Sequence, residues 1–544
     1  MKLAIICSLI LSIIHSILFF GEDWGISVLL FAISAVFIFI FVLGKNGKIK
    51  KKSPLILSVP IILLSATYLL FNNMFFAIMN FFVIISLFLI MIIWACTGEL
   101  NPIKLLKNMW ILFFAPVTEI AEVAKEFSNN FHVEKTPGKA KNPIAWKIVK
   151  ALLISLPIVI IVVALLVAAD DTFGVIFKDI VNAIFSWINI GTIYKFAIRI
   201  VFAVLLTIYF VGAILKVTRG KINNDVKPGR KGLRIEGMTL GFLITFLNII
   251  YFIFTGIQVM HIVQQINVSD ITNYAGYARE GFFQLMVVSF INFIIILLSK
   301  LNKKEMGVGS KSYIKSMNFI LALFTVVLLV TSVIKMTLYA QEFGYTFLRI
   351  LVFVTQITEL LLILPTLVYI ISDKFKVAKW YLGIIVIMYV LFNFMNVDYF
   401  IAKQNIDRYL NNENAQTRKL DFEYLRKHTS ADAIPQITRL LNDKDEKLQR
   451  EVNNYLYTQK ENINEKEMTW QSFNISRFIA KLELNKYNLE YKYYNSYNNR
   501  KNNTIYEKGN NNYYDDDYDY DYDYDYDYDD YYNNNYYSNY YTDL

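Results

Sequence analysis

The chain has 544 residues, 55% hydrophobic, 16% aromatic and only 18% charged, with formal net charge +9 and mean hydropathy +0.38. A water-soluble protein of this length divides into several domains and carries more charge, so composition argues against one. Cys7 and Cys96 each sit inside or at the end of an apolar block and the four histidines are scattered, which argues against a disulfide framework and gives a metal site no support.

Taken in order, eleven apolar blocks can span a bilayer: 3–20, 26–43, 54–71, 74–96, 151–169, 196–215, 238–260, 282–298, 319–338, 350–371 and 380–395. Some lie near the lower limit of about 17 residues for a spanning helix. In lipid each must be helical, because only a helix satisfies its own backbone. The first block follows Lys2, is longer than a signal core and lacks a small-x-small cleavage pattern, so it reads as a retained span. The stretch 102–127 is amphipathic and reads as an interfacial or re-entrant segment, with a twelfth span as the alternative. The expected fold class is therefore all-α, a polytopic bundle of about eleven spans over 1–402, followed by a small helical module (403–485) and a tail (486–544).

Loop charge orients the bundle. Counting Lys plus Arg, loop 44–53 has five, 97–150 eight, 216–237 seven, 299–318 five and 372–379 three. The alternate loops have none (21–25), none (72–73), two (170–195), one (261–281) and one (339–349). Basic loops stay on the cytoplasmic side, so the amino terminus is expected inside and everything after the eleventh span outside.

Under this topology four polar motifs collect at the outer boundary. "AADDTF" carries Asp170 and Asp171, "YAREGFF" carries Arg279 and Glu280, "FGYTFLR" ends in Arg349, and "NVDYFIAKQNIDRY" contains Asp398 and Arg408. Each alone reads as an interfacial anchor whose charge reaches water. Four together, with both signs of charge, form a candidate ligand-binding cluster. Deeper in the membrane, Glu359 lies ten residues into its block, or about 15 Å along a helix. A carboxylate there is paired, protonated or facing a cavity. It is either neutral and hydrogen-bonded to neighbours such as Gln356, Asn248 or Asn292, or charged, with Lys335 or Arg199 as partner.

The module contains short amphipathic segments. In "SADAIPQITRLLN", Ser430 is a plausible N-cap and Ile434, Ile437 and Leu441 share a face. In "TWQSFNISRFIAKLEL", Trp470, Phe473 and Phe478 are expected to form a core stripe. Residues 509–544 hold eleven Asp and no basic residue, alternating with Tyr; like charges along one strand face repel, so the tail is expected to be disordered.

The motifs "AADDTF", "YAREGFFQL", "YAQEFGYTFLR", "NVDYFIAKQNIDRY", "LDFEYLRKHTSADAIPQI" and "WQSFNISR" together resemble a family of bacterial multi-pass membrane proteins, the domain of unknown function 4173. The resemblance runs from about the fifth span to residue 485. It implies a bacterial plasma-membrane protein with no assigned reaction or ligand. Two departures stand out: Lys335 replaces an Arg, and Phe343 to Arg349 differ from a Y-G-L-T-x-L-R pattern.

No nucleotide-binding, hydrolase-elbow or zinc-protease motif is present, and no cofactor, metal or nucleic acid is implied. The leading expectation is a non-enzymatic membrane protein that binds or transports a ligand through the outer cluster. Two other readings stay open. One is an outer-face enzyme acting on a lipid-linked sugar or phosphate with Glu22, Asp23, Asp170 and Asp171, although the first loop is only five residues long. The other is a structural or signalling protein whose segment 403–485 docks an envelope partner. Nothing in the sequence fixes an oligomeric state.

Overall fold

The structure, a computed structural model, describes residues 2–19, 23–115, 119, 122–123, 125, 190–219, 237–266, 282–301, 308–372, 374–411, 420–466 and 468–491. The expected fifth span, Asp170, Asp171, Arg279, Glu280 and the Tyr/Asp tail lie outside them. The described residues are 85% helical, and no strand occurs among them.

The helices are α1 (Lys2–Phe19), α2 (Ile26–Lys45), α3 (Ser58–Leu70), α4 (Met74–Thr97), α5 (Pro102–Phe113), α6 (Ile190–Thr218), α7 (Gly237–Ile266) and α8 (Phe282–Leu301). They continue with α9 (Val308–Phe343), α10 (Phe347–Ile371), α11 (Val377–Phe394), α12 (Val397–Leu410), α13 (Phe422–His428), α14 (Ile434–Ile437), α15 (Glu446–Glu465) and α16 (Ile475–Leu484). Among the described residues, ten helices are long and apolar enough to cross a membrane: α1 to α4, with α3 extended by a preceding 3-10 turn, and α6 to α11. Each falls on one of the expected apolar blocks. α5 is amphipathic and is not among them.

The spans pack as two groups. α1 lies between α6 and α2, followed by α3 and α4; α9 lies among α7, α8 and α10, and α10 continues to α11. α11 packs on α3 and joins the groups. α6 runs antiparallel to α1, since Thr207 donates to Ser12 (3.0 Å) while Ile5 clusters with Val211 and Leu215. Outward-facing Phe37, Phe246, Phe252 and Leu364 are exposed, a surface suited to lipid rather than water.

The two ends of the bundle differ in charge. At one end, Lys379 stands over the Trp94 ring and close to Lys51 and Lys376, and Lys300 caps the last carbonyls of α10 at Tyr369 and Ser372. Cations at helix C-termini complement the helix dipole. At the other end lie the connections α1–α2, α3–α4, α9–α10 and α11–α12. There α12 to α16 form a cap whose core includes Ile406, Leu425, Ile437, Leu456 and Leu484, continuous with Phe76, Ile350 and Phe392 of the spans.

Within the cap, Ser430 does cap the turn that precedes α14, and Ile434 and Ile437 are fully buried. The expected stripe of Trp470, Phe473 and Phe478 does not form the core: Trp470 and Phe478 are exposed, and Ala480 and Leu484 are buried instead. The inward arc of α16 packs into the core of the cap, against α14, α15 and the turn before α14.

Candidate functional site

The cap meets the span ends through a dense polar junction. Asn72 and Asn73, in the three-residue connection between α3 and α4, are its centre. Asp398, at the start of α12, accepts from the Asn73 amide (2.9 Å) and from the Ser430 backbone N–H (3.0 Å). Asp432 accepts from the Asn72 backbone N–H (2.7 Å) and the Ser430 hydroxyl (3.0 Å). Both carboxyls are buried, and burial holds both above the usual carboxylate range; for Asp398 the neighbouring Asp432 adds to the rise, while the bonds from Ser430 and Asn73 oppose it.

The α9–α10 connection is held just as firmly. Arg349 donates to the Phe343 (2.9 Å) and Gly344 (2.7 Å) carbonyls and lies over the Tyr339 ring at 4.5 Å. Arg408 donates to the Gln341 (3.1 Å) and Glu342 (2.7 Å) carbonyls. Two guanidinium groups thus satisfy the carbonyls that α9 leaves open at its end. Asn405 pairs with both backbone polar groups of Tyr345 at 2.8 Å. Gly344 has φ +84°, and a Cβ there would lie 2.6 Å from the Asn405 Oδ1, so only glycine fits.

Beside this junction, a cleft of about 900 Å³ opens between the cap and the ends of the spans. Its walls include Trp24, Asn72, Arg426, Lys466, Asn474 and Arg477. The Arg477 side chain is only 15% exposed, yet its one ion pair among the described residues, to an Asp23 that is 66% exposed, is long at 3.8 Å. Among the described residues its guanidinium makes no hydrogen bond. A second cleft of about 610 Å³ lies across the Asn73 connection, lined by Phe347, Asp398, Tyr424 and His428.

Inside the bundle a polar seam runs between α7, α8, α9 and α10. Tyr251 donates to Asn292 (2.9 Å), Asn292 to Thr325 (3.0 Å), and Gln356 to Ser332 (2.7 Å). Glu359 and Lys335 are buried here, whereas Arg199 on α6 is exposed. The Ser289 hydroxyl faces the Glu359 carboxyl. Glu359 makes no ion pair among the described residues, and its Oε2, like the Gln356 Oε1, is buried without a hydrogen-bond partner there.

Of the residues expected in an outer cluster, the structure brings Arg349, Asp398 and Arg408 to one end of the bundle and gives each a protein partner. Asn72, Asn73, Asn405, Asp432 and Arg477 were not singled out as site residues, although Asn405, Asp432 and Arg477 fall inside the motifs quoted above. A three-residue loop such as 71–73 carries no pattern of its own.

A family comparison supplies the class of this architecture. The chain matches the family described as a domain of unknown function, DUF4153, over residues 58–440. It belongs to that family. The DUF4153 region begins with α3 and ends just after α14, so it contains both Asn72–Asn73 and the Asp398–Ser430–Asp432 group. This overturns the resemblance to the domain of unknown function 4173: the match rests on a continuous stretch, whereas that resemblance rested on short separated motifs. No curated protein and no solved structure matches the chain. This DUF4153 member is an integral, multi-pass membrane protein.

Proposed function

We propose that this is a bacterial plasma-membrane protein that binds an anionic, headgroup-sized ligand on its extracytoplasmic face, in the cleft beneath the cap. The amino terminus is cytoplasmic in this reading and the cap lies outside. Orientation rests on the loop charges and on the lysines gathered at the end opposite the cap. The observation that carries the binding site is Arg477, a mostly buried guanidinium with one long ion pair, opening on a cleft of about 900 Å³ together with Arg426 and Lys466. Buried cations are normally paired and hydrogen-bonded, so an under-coordinated one favours an anion. Asp170, Asp171, Arg279 and Glu280 remain candidate contributors. In this reading Asp398 frames the site by holding Asn73, which lines it, while Arg349 and Arg408 fix the α9–α10 connection next to the second cleft.

The test is thermal unfolding of the protein in phosphatidylcholine nanodiscs with added phosphatidylglycerol or with soluble glycerol phosphate. A ligand at about 100 times its Kd stabilises by about 2.7 kcal/mol. Stabilisation by the lipid alone identifies a headgroup, stabilisation by both a free anion. Arg477→Gln removes it in either case. No stabilisation by either probe contradicts the reading.

A second reading, transport, is favoured by Glu359. A mid-membrane carboxyl with an oxygen unpartnered among the described residues suits a proton or cation pathway through the α8–α9–α10 seam.

A further inference from the structure

The cap helix α16 has two apolar faces, and only one of them is used by the protein. Ala480 and Leu484 are buried against the rest of the cap and the neighbouring spans. On the opposite arc Phe478 is 42% exposed, Ile479 47% and Leu482 52%. At 100° per residue these three positions fall within one 100° arc, with half-buried Ile475 inside it. Lys481 borders the arc on one side and Glu483 on the other, while Arg477 falls next to buried Leu484. A helix facing water on that side would carry polar residues there.

Hydrogen bonds fix the height of α16 relative to the membrane. Its N-cap, Asn474, donates to the Tyr68 (2.9 Å) and Phe71 (2.8 Å) carbonyls, where α3 ends. The turn before it accepts from the first residues of α2: Ile26 N–H to the Phe473 carbonyl at 3.1 Å, and Ser27 N–H to the Gln471 carbonyl at 3.2 Å. Gly25 permits this approach, since a Cβ there would lie 2.5 Å from the Ser472 carbonyl carbon. The start of α16 is therefore held within a hydrogen bond of the level at which two membrane spans begin and end. Trp24 and Trp470, both about half exposed, flank the same level. Indole rings gather at the boundary between headgroups and acyl chains.

We propose that α16 is an in-plane interfacial helix whose outer arc, Phe478, Ile479 and Leu482, lies in the lipid headgroup–acyl boundary. Lipid is the occupant because α16 is pinned to span ends whose own outward surface is apolar. Lys481, which borders the arc, sits where it meets phosphates, as in other surface-lying amphipathic helices, which sink their apolar face about 5–10 Å. The cap is thus attached twice, by the Asp398–Asp432 junction and by partition of one helix into the bilayer. This does not depend on what the cleft binds.

The test uses the unaltered full-length protein reconstituted in phosphatidylcholine–phosphatidylglycerol vesicles containing a phospholipid with a photoactivatable diazirine high on one acyl chain. After illumination, adducts are mapped by mass spectrometry. Adducts on Phe478, Ile479 or Leu482, alongside those on the lipid-facing Phe246 and Phe252, are expected, with none on the exposed Lys447 of α15. Labelling of Phe246 and Phe252 without any on 478–482 overturns the proposal.

Discussion

The polar junction under the cap and the polar seam within the bundle use the same residue types to different ends. In the junction every charge meets backbone: Arg349 and Arg408 close the end of α9, and Asp398 and Asp432 hold N–H groups of Ser430 and Asn72. Those charges are structural, because each satisfies a group that the chain cannot otherwise satisfy. In the seam, amides and hydroxyls satisfy one another from helix to helix, and Glu359 is left with an oxygen that has no partner among the described residues. A buried carboxyl that has no ion pair among the described residues and leaves one oxygen unbonded there is the kind of group that a protein keeps for a reaction or an ion.

A matched pair of carboxyl-to-amide substitutions puts this contrast to direct test. Asp398→Asn turns one of two buried acceptors into a donor facing the Asn73 amide or the Ser430 N–H, and is expected to cost about 2–3 kcal/mol of stability. Protease cleavage of the cap in intact, folded membranes would rise with it. Gly344→Ala forces a side chain into a left-handed, crowded position and is expected to cost about 2 kcal/mol, read as a fall in melting temperature.

Acidity gives a smaller effect of defined sign. Because burial raises Asp398 and Asp432, the folded protein binds their protons at higher pH than the unfolded chain does. Their contribution to stability therefore grows as pH falls from neutral through the raised folded values, and is complete below the ordinary carboxylate pKa of about 4. Wild type should gain more than Asp398→Asn between pH 7 and pH 5 in thermal unfolding; an equal gain would place the titration elsewhere. The smallest effect is expected at Glu359→Gln, less than about 1 kcal/mol, in line with the modest worth of intramembrane polar contacts. If the seam carries an ion, that same substitution abolishes turnover while leaving the melting curve nearly unchanged. A loss of 3 kcal/mol or so there would erase the distinction between the two regions.

Much of the architecture was legible in the sequence because lipid permits so few backbone solutions. Runs such as 26–43 and 74–96 fix helices whatever surrounds them, and they coincide with α2 and α4 to within a turn. The cap was legible only as amphipathic pieces. Where it docks is set by tertiary bonds such as Asn474 to Tyr68 and Asp432 to Asn72, between residues hundreds of positions apart. Arg349 and Arg408 stood out as charges near an apolar edge, but no local pattern shows that carbonyls of α9 receive them. The stripe of Trp470 and Phe478 failed because helical periodicity identifies an apolar face without saying whether protein or lipid covers it.

The central claim is that the cap covers the extracytoplasmic ends of the spans and roofs a cleft open to that side. A single cysteine at Lys466, on the cleft wall, tests it in intact cells with a membrane-impermeant maleimide. The account predicts labelling of Lys466→Cys without cell lysis and protection of a cysteine at Lys51 at the opposite end. Labelling of Lys51→Cys in intact cells, with Lys466→Cys reached only after lysis, would contradict it.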